Sequence, residues 1–138
     1  MILMVVDGQG GGIGAAIIKR LRDVIGHELE ILAFGTNSIA TSQMLKAGAN
    51  RGATGENAIV RSTPKVGVII GSFAIIMANS MMGELTPKMA ESITSSKAQK
   101  ILIPLTQENV RVVGLSSEPL PHLVDQAVEV IREMYARL

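Results

Sequence analysis

The sequence has no cysteine and no tryptophan, and its aromatic residues are limited to two phenylalanines and one tyrosine. The absence of cysteine excludes disulfides and thiolate catalysis. The shortage of aromatic rings, together with a formal net charge of +1, leaves little with which to stack bases or attract a phosphate backbone. We therefore expect no nucleic-acid partner.

Charged residues are also scarce. They make up 18% of the chain, whereas apolar residues make up 47% and include eight methionines. An average soluble domain has roughly a quarter of its residues charged. Part of the apolar surface is therefore expected to face another subunit, and we predict a homo-oligomer, most simply a symmetric dimer.

Long hydrophobic runs are missing as well. The longest, residues 66–78, is interrupted by Gly67, Gly71 and Ser72 and is too short to span a bilayer. The N-terminus enters an apolar strand at once, without the basic and small-residue segments of a secretion signal. No cluster of histidine, cysteine or acidic residues has the spacing of a metal site. These absences predict a cytoplasmic protein with no membrane partner and no metal.

Glycine, by contrast, is concentrated in residues 7–14, DGQGGGIG, where five of eight residues are glycine. The stretch follows an apolar run, residues 2–6, that is typical of a buried parallel strand. It precedes apolar residues at helical spacing that end at Gly26. Glycine lets backbone amides approach a phosphate, and a helix N-terminus adds N–H donors and a positive dipole end. The predicted guest is a nucleotide or another small phosphorylated ligand.

Two interpretations of this stretch remain open from the sequence. The glycines could form a tight strand-to-helix turn without any ligand, although such a turn needs only one or two of them. Asp7, at the carboxyl end of the strand, could contact a ligand or accept hydrogen bonds from the loop's own amides.

The glycine spacing, Gly8-x-x-x-Gly12-x-Gly14, is neither the G-x-G-x-x-G fingerprint nor a P-loop. It resembles the glycine turn of short-chain dehydrogenases. That resemblance implies a Tyr-x-x-x-Lys pair that passes a proton to the substrate. Here the only tyrosine is Tyr135, and no lysine follows it, so a dehydrogenase of that family is not expected.

The second predicted strand, residues 29–34, closes with neutral residues. Dinucleotide-binding folds often place an acid here to hold the ribose hydroxyls, but residues 35–38 read GTNS. Thr36 or Asn37 could hydrogen-bond a ribose or cap the helix that follows. We predict that no carboxylate at the end of this strand grips a ribose.

The middle of the chain predicts a polar connection at residues 48–57, followed by a short helix with Thr54 as its cap. Arg51 and Arg61 would either close over an anionic ligand or pair with Glu56 on the surface. A third strand at residues 66–70 ends in Gly71 and Ser72. Apolar residues at period four then predict a buried helix at residues 73–82. Its polar Asn79 would face the glycine crevice or satisfy nearby backbone groups.

The last part of the chain predicts a helix opened by Thr86 and Pro87 and strands at residues 100–105 and 110–115. Only residues 106–109 separate these strands, so they should pair as a hairpin. A long amphipathic helix closes the chain.

The pattern predicts one α/β domain, residues 1–138, with a three-layer Rossmann-like or flavodoxin-like architecture and a five-stranded, mainly parallel sheet in the order 2-1-3-4-5. The crevice would lie between strands one and three.

Several longer stretches carry a second resemblance: GQGGGIG, GTNSIATSQMLKAGANRGATGENAIV, ANSMMGELTPKMAESI, KILIPL and SEPLPHLVDQAVE. Together they are similar to an uncharacterised family of short prokaryotic proteins, a domain of unknown function. The resemblance covers nearly the whole chain. It implies a compact Rossmann-like fold but no activity and no assigned residues.

The leading hypothesis is a binding or regulatory module for a nucleotide or other phosphorylated metabolite, with a nucleotide or dinucleotide as the fitting cofactor class. The alternatives are a small enzyme that uses Asp7, Glu56, Asn79 and Glu84, and a structural module without a ligand. No residue set specifies a reaction. The candidate ligand-binding residues are Asp7, Gly8, Gln9, Gly10, Gly11, Gly12, Ile13, Gly14, Thr36, Asn37, Gly71, Ser72 and Asn79.

Overall fold

Strand β1 (Ile2–Asp7) lies at the centre of a five-stranded parallel sheet in the computed structural model, which describes residues 1–105 and 108–138. The other strands are β2 (Glu30–Gly35), β3 (Arg51–Thr54), β4 (Val68–Ser72) and β5 (Gln99–Ile103). Their spatial order is β3-β2-β1-β4-β5, and every neighbouring pair is parallel. The four longer strands, in the order β2-β1-β4-β5, correspond to the predicted strands two, one, three and four and follow their predicted order.

Helices cover both faces of the sheet, which confirms the predicted three-layer α/β fold. They are α1 (Gly12–Val24), α2 (Ser38–Lys46), α3 (Glu56–Ser62), α4 (Pro87–Ser95) and α5 (Leu120–Ala136), with 3₁₀ turns at Thr63–Lys65 and Phe73–Ile76. Successive strand residues point to opposite faces. Leu3 and Val5 accordingly join a core with α1, α2 and α5, whereas Met4 and Val6 join a second core with α3 and α4.

The helix starts follow the capping chemistry of the sequence. The Asn37 side chain accepts a hydrogen bond from the N–H of Ala40 and caps α2. Thr86 caps α4 and is followed by Pro87 at the first helical position, as predicted. The predicted cap for α3 is wrong, because Gly55 precedes that helix. The Thr54 hydroxyl instead lies 2.7 Å from the hydroxyl of Thr41.

The polar connection predicted at residues 48–57 contains an unpredicted edge strand. Residues 51–54 pair with the second half of β2 through the backbone, so their polar side chains need no burial. Arg51 does not reach Glu56 or the crevice. Its guanidinium pairs with Glu30 at 2.6 Å across the β2–β3 ladder, and both side chains are well exposed.

The helix predicted at residues 73–82 is wrong. After the 3₁₀ turn at Phe73–Ile76 the chain continues in turns, and Asn79, Met81 and Met82 have φ values of 67°, 55° and 58°. Left-handed backbone cannot continue a right-handed helix. The period-four apolar residues instead pack into the second core individually, with Ile75 and Met81 buried.

The predicted strand at residues 110–115 is also wrong, and the predicted turn at 106–109 lies partly outside the described residues, since 106 and 107 are not described. Within 108–119 the chain forms no strand, and Val113 is 93% exposed. No layer covers the apolar side chains that suggested burial. β5 therefore has no hairpin partner in the described residues, and the sheet is wholly parallel.

Within residues 1–105 and 108–138, no helix is both long enough and apolar enough to cross a membrane.

Candidate functional site

A crevice of about 500 Å³ opens at the carboxyl ends of β1 and β4, where the strand order reverses on either side of β1. Open α/β sheets place ligands at this switch point, and the crevice lies between the two strands predicted to flank it. Five predicted residues line it: Asp7, Gln9, Ile13, Ser72 and Asn79. Five residues absent from the prediction also line it: Ala74, Met81, Met82, Leu105 and Glu108.

The glycine loop, defined here as residues 8–14, has an inner face that packs against the protein. Gly8, Gly11 and Gly14 are buried. A Cβ atom at Gly8 would lie 2.5 Å from both Met81 Sδ and Thr36 Oγ1, and one at Gly14 would lie 2.5 Å from Met44 Sδ. Gly11 has φ of 76° and touches the backbone of α2. The backbone of α2 and the positive φ require glycine at residue 11, whereas at residues 8 and 14 a Cβ would have to displace neighbouring side chains, so packing accounts for glycine at all three positions.

The outer face of the loop, formed by Gly10 and Gly12, is different. Both residues are exposed, neither has a positive φ, and a Cβ atom at either would meet nothing within 4 Å. Among the described residues, their N–H groups have no hydrogen-bond partner. Neither packing nor backbone conformation explains why these positions are glycine.

Asp7 lies beneath the loop and binds its inner amides. Its carboxylate accepts hydrogen bonds from the N–H of Gly8 at 2.7 Å and of Gly14 at 2.6 Å, and its side chain is buried. Burial raises the pKa of Asp7, the N–H donors of Gly14 and Gly8 offset part of that rise, and the charge of Glu84 adds to it. Of the two interpretations left open by the sequence, the geometry shows Asp7 capping the loop's own amides.

Glu84 brings a second carboxylate to the loop from a distant part of the chain. Its Oε1 accepts three hydrogen bonds: from Gln9 N–H at 2.8 Å, Thr36 Oγ1 at 2.7 Å and Asn37 Nδ2 at 2.7 Å. Partial desolvation by itself raises the pKa of Glu84, but the three donors outweigh it and hold the pKa below its usual range. Glu84 is therefore ionised at neutral pH.

This arrangement changes the roles predicted for Thr36 and Asn37. Neither lines the crevice. Asn37 caps α2 and also joins the carbonyl of Gln9 to Glu84, while Thr36 binds Glu84 through its hydroxyl. The end of β2 has no acid of its own, yet the fold brings the carboxylate of Glu84 to Thr36 and Asn37 there.

Two other candidates lie away from the crevice. Gly71 sits inside the sheet, where a Cβ atom would lie 2.7 Å from the carbonyl oxygen of Val6, so its glycine is required by packing. Glu56 accepts a hydrogen bond from the hydroxyl of Thr86 at 2.7 Å and links α3 to α4. The polar set proposed for an enzyme is thus divided: Asp7 and Asn79 line the crevice, whereas Glu84 is bound to the N–H of Gln9, which lines it.

Backbone strain is concentrated at the crevice. In the described residues, the only non-glycine positions with positive φ are Gln9, Asn79, Met81 and Met82, and all four line it. A bulky residue in this region costs of order 1–3 kcal/mol and persists where surrounding contacts impose it. Met81 N–H donates to Glu108 Oε1 at 2.8 Å, and Asn79 N–H donates to the carbonyl of Leu85 at 2.7 Å. Strain of this kind clusters at functional sites.

The crevice is acidic. Asp7 and Glu108 line it, and no lysine or arginine is among its described lining residues. Over residues 1–105 and 108–138, no group of three or more histidine, cysteine or acidic side chains is placed to hold a metal ion. A ligand here would meet backbone N–H groups, carboxylates and hydroxyls.

Glu84 is the functional candidate that sequence reasoning placed least well. It was a candidate for enzyme chemistry only, because nothing in the sequence links residue 84 to residues 9, 36 and 37. The available signal was its position between Gly83 and the capped helix α4, just after the helix that period-four spacing predicted at residues 73–82.

The family model described as Domain of unknown function (DUF3842) matches residues 2–136 of the chain. Among solved structures, the chain is similar to a dodecameric FMN-dependent Ubix-like decarboxylase from Escherichia coli O157:H7. The two share 15% sequence identity with a TM-score of 0.48, over 97% of this chain and 76% of that chain. No curated protein matches the sequence.

Proposed function

The chain belongs to the family described as Domain of unknown function (DUF3842), and we propose that it binds a small phosphorylated ligand, of nucleotide size, on the outer face of the glycine loop. One observation carries the proposal: Gly10 and Gly12 are exposed glycines without close neighbours and without positive φ. Their lack of a side chain keeps the start of α1 clear.

The donors at this position suit a phosphate oxygen. Gly12 is the first residue of α1, a helix of 13 residues, and Gly11 precedes it as the cap. The N–H groups of Gly10 and Gly12 have no partner in the described part of the chain. Unpaired amides at a helix N-terminus bind anions, and a Cβ atom here would block their approach.

Asp7 limits how strongly this helix end attracts an anion. Its carboxylate already accepts from two inner amides and carries charge beneath the loop. Burial raises its pKa, so that protonation removes this charge more readily than for an exposed aspartate. Since no basic side chain lines the crevice in the described residues, backbone donors supply the attraction, and a ligand with one or two phosphate groups fits better than a triphosphate.

The crevice has room for the remainder of such a ligand. Its volume of about 500 Å³ lies within the roughly 300–1,000 Å³ usual for small-molecule sites. Ile13, Ala74 and Leu105 offer apolar contact, and Ser72 and Asn79 offer polar contact. This mixture suits a base or another flat, partly polar group attached to the phosphate.

Thermal-shift measurements with AMP, ADP, NAD, FMN and inorganic pyrophosphate test the proposal. A ligand that binds only the folded protein at about 100 times its dissociation constant stabilises it by about 2.7 kcal/mol. Gly12→Asp should remove the shift, because its carboxylate occupies the helix end and repels the phosphate. The matched control is His122→Asp, which adds the same charge to the first turn of α5.

We expect at least one of these probes to raise the melting temperature of the wild type and of His122→Asp but not of Gly12→Asp. Circular dichroism establishes that all three proteins are folded. Equal shifts in the three proteins would place the ligand elsewhere, and no shift in the wild type with any probe would refute phosphate binding.

We also propose that the protein self-associates. The surface candidate is the segment of residues 110–115, where Val113 is 93% exposed and Leu115 is 53% exposed. Burying such side chains against a second copy removes apolar area from water. Light scattering at micromolar concentration should give a dimer mass for the wild type and a monomer mass for Val113→Asp. A monomeric wild type would refute it.

A further inference from the structure

We infer that Glu84 and Thr36 form a subsite for a pair of neighbouring hydroxyl groups, so that the ligand of the glycine loop is a ribonucleotide rather than a deoxyribonucleotide. The inference rests on the proposed function, because it assigns the sugar of the same phosphorylated ligand. Three features support it: only one of the two carboxylate oxygens of Glu84 has hydrogen-bond partners in the described residues, Glu84 is ionised, and its hydrogen-bond partners lie next to the glycine loop.

The two oxygens of Glu84 have unequal surroundings. Oε1 accepts from Gln9 N–H, Thr36 Oγ1 and Asn37 Nδ2, all within 2.8 Å, which saturates that oxygen and fixes the orientation of the carboxylate. Oε2 has no partner among the described residues. A carboxylate held by one oxygen presents the other as a preorganised acceptor.

Glu84 is half-buried and its pKa lies below the usual range, since its three donors outweigh the partial desolvation. An ionised carboxylate has acceptors only. The group that Oε2 can bind must therefore donate, and hydrogen bonds from hydroxyls to charged oxygens are among the stronger ones. A phosphate oxygen is excluded from this position by charge repulsion.

Thr36 supplies an acceptor for a second hydroxyl beside the first. Its hydroxyl hydrogen is committed to Glu84 Oε1, so the lone pairs of Oγ1 remain for another donor. Neither Glu84 nor Thr36 lines the crevice, but Gln9, whose N–H binds Glu84, does line it and directly precedes Gly10 on the outer face. A sugar with vicinal hydroxyls on Glu84 and Thr36 thus lies next to the amides proposed for its phosphate.

The experiment compares ADP, 2′-deoxy-ADP, 3′-deoxy-ADP and inorganic pyrophosphate by isothermal titration. For the wild type we expect ADP to bind about tenfold more tightly than the deoxy form that lacks the hydroxyl bound to Glu84, the size of effect that one hydrogen bond to a charged group gives, and by a smaller factor than the deoxy form that lacks the hydroxyl bound to Thr36. Glu84→Gln is the decisive variant. Its amide oxygen can still accept from the three donors, and a neutral NH₂ group then replaces Oε2, so the sugar hydroxyl loses its charged acceptor and can form only a weaker, neutral hydrogen bond.

In Glu84→Gln we expect ADP to lose its preference over the deoxy form that lacks the hydroxyl bound to Glu84, with the preference over the other deoxy form and the pyrophosphate affinity retained. The matched control is Glu30→Gln, which removes one negative charge from the exposed pair with Arg51 and should keep the preference for ADP over both deoxy forms. Thr36→Val provides a second measurement that leaves Glu84 in place, and it should lose discrimination against only one of the two deoxy forms. Circular dichroism establishes folding of each variant.

The outcomes separate the two claims. A wild type that binds pyrophosphate and deoxy-ADP as tightly as ADP overturns the hydroxyl subsite alone and leaves phosphate binding intact. If Glu84→Gln binds every probe more tightly than the wild type, the hydroxyl subsite is also overturned. Glu84 would then repel or compete with the phosphate instead of binding the sugar. A wild type that binds none of the probes refutes phosphate binding and the subsite together.

Discussion

The inner and outer faces of the glycine loop place the same residue type in opposite surroundings. On the inner face, Gly8, Gly11 and Gly14 are buried against side chains and backbone, and any Cβ would collide. On the outer face, Gly10 and Gly12 meet nothing within 4 Å. The presence of glycine in such a motif therefore does not mean that each glycine contacts a ligand. Only the glycines that neither packing nor backbone conformation explains indicate a ligand.

The two carboxylates at the loop differ in the same way. Asp7 is buried on the inner face, where burial raises its pKa. Glu84 is half-buried beside Gln9, where three donors outweigh desolvation and lower its pKa. The inner acid binds the loop's own amides, whereas one oxygen of the outer acid has no partner in the described part of the chain.

The largest effect should come from Gly11→Ala on the inner face. The residue has φ of 76°, and its Cβ would lie 2.8 Å from Ala40 Cα, which is backbone that cannot swing aside. Left-handed strain and overpacking each cost of order 1–3 kcal/mol, so we expect a loss of about 3 kcal/mol in unfolding free energy. Urea unfolding measures it, and a loss below about 1 kcal/mol would mean that α2 moves to make room.

Asp7→Asn should have the next largest effect. The amide of asparagine has one oxygen, so its NH₂ group faces the N–H of either Gly8 or Gly14, which are both donors. Leaving a buried donor without its acceptor costs about 1–3 kcal/mol. Urea unfolding at pH 7 gives the value, with Glu108→Gln as a control that removes a crevice carboxylate outside the loop. A stability equal to that of the wild type would contradict the capping role.

Glu84→Gln should show a pH-dependent loss. The pKa of Glu84 is lowered by folding, so its ionised form stabilises the folded state. That contribution is present above its ordinary pKa of 4.5 and is lost as pH falls through the lower folded value. The stability gap between wild type and variant should therefore be widest at neutral pH and narrow in acid.

Asp7 should show the opposite trend. Its folded pKa is raised, so its stabilisation is complete below its ordinary pKa of 3.8 and is lost as pH rises through the higher folded value. The gap between wild type and Asp7→Asn should accordingly narrow from acid to neutral pH. Urea unfolding at several pH values measures the difference in unfolding free energy between the wild type and each variant. If both differences change with pH in the same direction, the contrast between the two acids is contradicted.

The smallest effect on stability should come from Gly12→Ala on the outer face. The position has open space and no positive φ, so replacing glycine stabilises by about 0.4–1 kcal/mol through the unfolded chain. Its methyl group nevertheless lies where the phosphate would approach, so the thermal shift with pyrophosphate should fall. A stable variant with an undiminished shift would assign this glycine no part in binding.

Sequence periodicity predicted the elements that bury a continuous apolar face. It placed five elements within a few residues of their observed bounds: strands β1, β2 and β4 and helices α1 and α5. Their apolar side chains follow the strand or helix period because they are buried on one side or both. β3 was missed, since its residues are mostly exposed and its pairing is made by the backbone. The predicted strand at 110–115 failed for the opposite reason: its apolar residues stay exposed.

The site was predictable only in part. The glycine motif located the carboxyl end of β1, and the sheet order located the crevice beside β4. The contacts of Glu84 span 47 to 75 residues along the chain. No local pattern encodes them, because they depend on the left-handed turns at Asn79, Met81 and Met82, which side-chain periodicity misassigned to a helix.

The central position of β1 has a consequence for how the molecule assembles during synthesis. β1 needs partners from residues 30–35 and 68–70, and α1 packs against α5 near the other end of the chain. Synthesis proceeds at about 5–20 residues per second, so the first strand and helix emerge seconds before the segments that complete them. We expect the glycine loop, which is made before the segments that surround it, to reach its final surroundings late.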